Sequence, residues 1–172
     1  RLYNWYAAIN DICPAEWHLP SDDEWKELEM YLGMSSVQTN NFGWERGETE
    51  NIGGVLKEQG DEHWLSPNVG ANNSSGFTAI PGGWRMNDDG EFEYLNVDNN
   101  LWTSTERENN SSNAYFRSLG YDGKGVYRSS YSKNMGFSIR CFKTTQPTVN
   151  IISPIADTEI SGTVIIKVSI VN

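Results

Sequence analysis

The side chains with the most reactive chemistry are few: two cysteines, Cys13 and Cys141, and two histidines, His18 and His63. A Ser-His-Asp hydrolase needs a histidine positioned beside its nucleophile. His63 falls in a polar loop, and His18 sits inside Trp17-His18-Leu19-Pro20, where a packed, hydrogen-bonded imidazole is the ordinary outcome. Cys13 and His18 have a loose metal spacing, but zinc takes four ligands and no second Cys or His pair follows. Catalysis finds no complete set of groups, and the chain is expected not to be an enzyme.

Groups suited to binding are more plentiful. The stretch from Asp61 to Asn100 carries Trp64 and Trp84 together with the oxygen-rich run Asn87, Asp88, Asp89 and Glu91. Carboxylates and amide oxygens so close together could hold calcium, a hard cation that wants six to eight oxygens. With Gly90, the same residues also make a plain turn. Calcium is the one cofactor this run points to. The rings of Trp64, Trp84, Tyr94, Tyr121 and Tyr127, with Tyr131 beside them, are candidate platforms for stacking a sugar. Each competes with a place in the core, which is the default for Trp25 and Trp102. Seven Trp and eight Tyr in 172 residues are many, so some rings are expected to serve recognition. The expected ligand-facing surface is the 61–100 loop region, with Trp84 partly exposed and Trp25 and Trp102 buried.

The charge balance narrows the partners. A formal net charge of −10 argues against nucleic acid, because phosphate contacts need clustered Lys and Arg. Mean hydropathy is −0.58, and no run approaches the roughly 20 apolar residues of a membrane-spanning helix. An acidic chain remains suited to a neutral sugar, a cation or a basic protein patch.

These residues need elements to position them. Residues 2–8 mix large aromatics with small residues and read as a strand or short buried turn. Ser21 with Glu24 makes a capping box, followed by a helix whose Trp25, Leu28 and Leu32 form one stripe, with Tyr31 beside it and Gly33 as the stop. A second helix is expected over 51–59, with Ile52, Val55 and Leu56 on one face, and Gly53 and Gly54 weakening it. Strands are expected at 77–80, 92–95, 101–105, 114–119, 126–131 and 137–142, with turns at 81–83 and 88–90 and a hairpin turn at 121–125. Two helices first and a loop-rich antiparallel sheet later is an α+β plan. After Lys143 aromatics vanish and β-branched residues take over, so a linker at 144–147 and an all-β segment over 148–172 are expected.

Laid out this way, the chain resembles the Fibrobacter succinogenes major paralogous domain family. The resemblance rests on Leu2-Tyr3-Asn4-Trp5-Tyr6-Ala7-Ala8, on Cys13-Pro14 followed by Trp17-His18-Leu19-Pro20-Ser21-Asp22 and Glu24-Trp25, and on Leu56-Lys57-Glu58. It continues through Asn73-Ser74-Ser75-Gly76-Phe77-Thr78-Ala79-Ile80-Pro81-Gly82-Gly83, Trp102-Thr103-Ser104-Thr105-Glu106 and Gly136-Phe137-Ser138-Ile139-Arg140-Cys141. The resemblance implies a C-type-lectin-like fold over 1–143 and a bacterial secreted or cell-surface protein. It also implies an amino-terminal stretch with strand-like segments ahead of Leu2. Two cysteines at opposite ends of a domain, each in an aromatic setting, suggest a staple, and the resemblance pairs Cys13 with Cys141. The segment 148–172 resembles the start of a bacterial immunoglobulin-like module, through Pro147-Thr148-Val149 and Ile152-Ser153-Pro154.

The implied function is a non-catalytic extracellular binding or adhesion module that recognises carbohydrate or a protein partner through its loops. The paired Glu-Pro-Asn and Trp-Asn-Asp motifs of calcium-dependent sugar-binding lectins are not in the sequence. Formylglycine-generating enzymes share the lectin-like fold, and residues 136–141 are loosely similar to their closing motif. Those enzymes need a redox-active cysteine pair, and with Cys13 and Cys141 stapled none is left over. A structural subunit completed by strand exchange through its terminal strands is the remaining class. Residues 147–172 are expected not to pack as part of the lectin-like core.

Overall fold

Ser21 opens the longest helix through the anticipated capping box: its hydroxyl accepts from the Glu24 amide, and the Glu24 carboxylate accepts from the Ser21 amide at 2.8 Å. The computed structural model describes residues 1–44, 46–144, 148–153 and 167–171. It forms two compact units, Arg1–Phe142 and Lys143–Asn172.

The first unit is α+β with short helices. Asn4 caps α1 (Trp5–Ala8) where a strand or turn is expected, and β1 (Trp17–His18) precedes α2 (Asp22–Tyr31). A second capping box, Ser35 with Gln38, starts α3 (Ser36–Asn40), which the sequence reading does not anticipate. The helix expected over 51–59 shortens to α4 (Ile52–Leu56).

The buried stripe of α2 differs from expectation. Tyr31 is 88% exposed and Leu28 and Leu32 are only partly buried, whereas Asp22, Trp25 and Glu29 face inward. Three arginines make this possible. Arg117 donates to Asp22 and Glu29 at 2.7 Å each, Arg128 makes a two-pronged contact with Asp22, and Arg46 donates to both oxygens of Glu29. Buried charges persist only when paired and hydrogen-bonded in this way.

Five strands make the main sheet, in the order β3-β2-β4-β5-β6: β2 (Gly82–Arg85), β3 (Phe92–Leu95), β4 (Asp98–Arg107), β5 (Asn110–Gly120) and β6 (Tyr127–Ser132). All neighbours are antiparallel except β2 and β4. The segment 77–80 is not a strand; its β-pairing among the described residues is a single bridge from Ala79 to Lys57. The strand expected over 137–142 is broken into bridges at Phe137 and Ser138 and a short β7 (Phe142–Lys143) paired with β1. β2 begins inside the glycines that read as a turn. The Cys13–Cys141 disulfide is formed, with Cα atoms 5.8 Å apart.

Register decides what the sheet presents. Asp98 lies opposite Gly120, Asn100 opposite Ser118, and Trp102 opposite Phe116, so the period-2 pleat puts all six on one face. Arg117, opposite Leu101 and Arg128, falls on the other face, where the helix carboxylates meet it. Trp102 and Phe116 pack with Trp5, Met135 and Phe137 in one apolar cluster. Leu119 and Val126 join Ile52, Leu56 and Trp64 in a second.

In the second unit, β8 (Thr148–Ser153) pairs antiparallel with β9 (Lys167–Val171), Val149 lying opposite Ile170 and Ile151 opposite Val168. Of the expected linker, residues 145–147 lie outside the described residues. So do residues 154–166 and 172 of the expected immunoglobulin-like segment.

Candidate aromatic cleft and acidic annex

The face that carries Trp102 and Phe116 continues past the apolar cluster into a cavity of about 270 Å³. Its walls are the rings of Trp44, Trp84, Tyr94, Tyr127 and Tyr131, with Met86, Glu93, Asn100 and Ser118 among the other lining residues. Strand geometry explains most of this set. Ser118 is opposite both Asn100 and Tyr127, so those three share the face, and Trp84 is opposite Glu93 on the neighbouring pair. Tyr94 breaks the alternation. Its φ of +58° is a left-handed conformation that a tyrosine rarely adopts, and Tyr94 lines the cavity together with Glu93. Tyr94 packs against Trp84 with ring centres 4.3 Å apart and planes tilted by 33°, and Trp44 stacks on Tyr127 at 4.5 Å.

Polar groups line this aromatic cavity without partners. Asn100 is fully buried and Ser118 is 1% exposed. The Asn100 amide oxygen and nitrogen, the Ser118 hydroxyl and the Trp84 indole N–H have no hydrogen-bond partner among the described residues. Each unpaired buried group costs on the order of 1–3 kcal/mol. A pocket that is mostly apolar with a few convergent polar groups is the usual form of a small-ligand site.

A second cavity, about 590 Å³, shares Trp44 and Tyr94 with the first and is also lined by Leu65, Tyr121, Asp98, Asp122 and Glu48. Burial, and then the nearby Asp122 charge, pushes the Asp98 carboxyl up to about 6. Behind Gly120 and Gly123 stands Lys57. Its ammonium is fully buried and donates to the carbonyls of Val69, Gly120 and Gly123 at 2.9 Å each. Burial lowers Lys57 to about 8 against the opposing pull of Asp122 and Glu48.

The residues anticipated from sequence are divided between several places. Trp84, Tyr94 and Tyr127 meet in the first cavity, and Tyr121 lines the second. Trp84 is partly exposed, while Trp25 and Trp102 are buried. Trp64 is not a surface platform: it is 2% exposed, its indole donates to the Ala79 carbonyl, and the Lys57 ammonium lies 5.4 Å from its ring centre. Asn87, Asp88, Asp89 and Glu91 form an exposed turn in which Asp88 and Asp89 accept from the amides of Asp89 and Glu91. The carboxylate and imidazole atoms that do gather among the described residues are those of Glu58, Glu62 and His63, within 4.8 Å of one another. His18 meets Glu24 at 2.6 Å and lines a cavity of about 210 Å³ with Asp11 and Ser104.

Trp44, Asn100 and Ser118 are the site residues that sequence reasoning misses. The one available signal is Asn99-Asn100 at the head of a strand, where asparagine is disfavoured.

A family model described as the Fibrobacter succinogenes major domain matches residues 1–143. No curated protein and no solved structure matches the chain. Among the described residues, no helix is long and apolar enough to cross a membrane.

Proposed function

We propose, from the premise that this chain belongs to the Fibrobacter succinogenes major domain family, that it is a non-catalytic extracellular module that binds carbohydrate in the aromatic cleft. One observation carries the reading: the Asn100 amide and Ser118 hydroxyl, without hydrogen-bond partners among the described residues, line a cavity walled by paired rings. A pyranose presents both apolar C–H faces and hydroxyl edges. Its faces suit the rings of Trp44, Tyr94 and Tyr131, and its hydroxyls suit an amide that can both donate and accept. The cleft keeps Trp84 and Tyr94 of the 61–100 region and adds Trp44, Ser118, Tyr127 and Tyr131 from outside it. A C-type-lectin-like fold is consistent with helices that come early in the chain, a later sheet and long connections. Secretion or display at the cell surface is supported by the disulfide, since such bonds persist in oxidising compartments.

The test is a glycan array followed by calorimetry on the hits. Tyr94→Asn removes a ring while keeping a residue that tolerates the left-handed backbone, and Tyr131→Ala removes a half-exposed ring. Each should weaken binding at least tenfold with the melting temperature unchanged. Glycan binding that survives both substitutions would place the site elsewhere.

A further inference from the structure

The second cavity adds a charge requirement to the ligand, and this inference rests on the carbohydrate reading. We infer that the annex lined by Asp98, Asp122 and Glu48 receives a protonated amine on the same ligand, so that the chain recognises a glycan bearing free amino groups.

Asp98 is 8% exposed, yet its carboxylate has no hydrogen-bond or ion-pair partner among the described residues, and it lines the annex. A buried carboxylate without a cation is an unusual arrangement, because burial of a charge is costly until something pairs with it. The other charged side chains that line the annex, Asp122 and Glu48, are both acidic. Asp122 stands close by: a Cβ added at Gly120 would sit 3.1 Å from the Asp122 carboxylate, 3.5 Å from that of Asp98 and 3.5 Å from the Trp44 ring. Those three groups therefore converge around a floor kept open by a glycine. Glu48 accepts from the Lys124 amide and also lines the annex. The ammonium that acts on this region, Lys57, is already held by three carbonyls. Three carboxylates against one ammonium leave an acidic pocket.

The walls choose the kind of cation. Trp44, Tyr94 and Tyr121 are aromatic, and aromatic faces attract organic ammonium groups. Calcium would need six to eight oxygens. Asp98, Asp122 and Glu48 are not among the carboxylates whose oxygens gather within 4.8 Å in the described residues, and the Gly120 and Gly123 carbonyls already serve Lys57. Trp44 and Tyr94 belong to both cavities, so one oligosaccharide can lay a ring in the cleft and an amine in the annex.

Calorimetry with the full chain tests this, using a β-1,4-glucosamine tetramer and its fully N-acetylated counterpart as probes at pH 6.5. The free-amine tetramer should bind at least tenfold more tightly, and the preference should shrink as salt is raised. Asp98→Asn with Asp122→Asn should abolish the preference and leave the acetylated tetramer unaffected. Equal affinities for the two tetramers, both lost in Tyr94→Asn, would overturn the amine inference and leave the glycan reading standing. Binding of neither tetramer would overturn the amine inference, while the glycan array decides the carbohydrate reading separately. A lysine-rich peptide bound in an Asp98-dependent way, with both tetramers ignored, would reassign the annex to protein amines and overturn the glycan source. Calcium binding that the double variant removes would also overturn it.

Discussion

Asp22 and Asp98 are both buried carboxylates, and their surroundings drive them in opposite directions. For Asp22, burial alone would raise the pKa, but hydrogen bonds and charges from Arg128 and Arg117 outweigh it and hold the group well below the usual range. Its stabilising effect is present in full above the unfolded pKa, near 3.8, and is lost as pH falls below that value. Asp22→Asn should cost about 3–5 kcal/mol at pH 7, because it leaves arginines buried with too little countercharge; urea titration measures it. Asp98 has no such partner among the described residues, and its folded form holds a proton up to about pH 6. The sign is reversed: stability falls as pH rises from about 4 to 6, and the full cost is present above 6. Asp98→Asn should therefore be more stable than the parent by about 1–3 kcal/mol at pH 7, with the gap closing near pH 4. Parallel melts at pH 4, 5.5 and 7 check it. A protein that gives up stability at Asp98 while stabilising Asp22 so thoroughly fits a binding role for the former.

Among the elements, α4 shows how a rule about single residues yields to packing. Gly53 and Gly54 read as weak points in a helix, since glycine costs about 1 kcal/mol there relative to alanine. At Gly53, however, a Cβ would run into the carbonyls of Gly125 and Lys124, and the Gly53 amide donates to Lys124 at 2.6 Å. Gly53→Ala should thus destabilise by about 1–3 kcal/mol despite its better helix propensity, as chemical unfolding would show. The same contrast governs what the sequence reveals. The start of α2 is legible because its capping box is local, spanning Ser21 to Glu24. The buried face of α2 is not, because Arg46, Arg117 and Arg128 arrive from other elements. β4, β5 and β6 are legible from their aromatic and apolar runs, whereas β2 hides behind Gly82 and Gly83. Trp84, Tyr94 and Tyr127 can be nominated as rings, but Asn100 and Ser118 become a site only through register. The left-handed turn at Tyr94 has no signal in its neighbours.

The whole molecule depends on contacts between residues far apart in the chain. Tyr3 bridges Phe137, the Trp5 indole donates to the Thr103 carbonyl, the Trp102 indole donates to the Tyr3 carbonyl, and β1 pairs with β7. These contacts bring the beginning and end of the first unit together, and the Cys13–Cys141 bond fixes that meeting covalently across a separation of 128 residues. A cross-link acts largely on the unfolded chain, and closing a loop of this length stabilises by at most about 5 kcal/mol, commonly 2–4. Replacing both cysteines by serine should lower stability by that amount, read from urea midpoints. The cleft lies on the β2–β6 sheet, whose register is fixed by its own ladder, so the double variant should still bind glycan with near-parental affinity at temperatures well below its melt. Loss of binding in a variant that is still folded would show that the closed ends also shape the cleft. Two free thiols in the untreated protein, by mass analysis without reductant, would remove both the staple and the main support for an oxidising compartment.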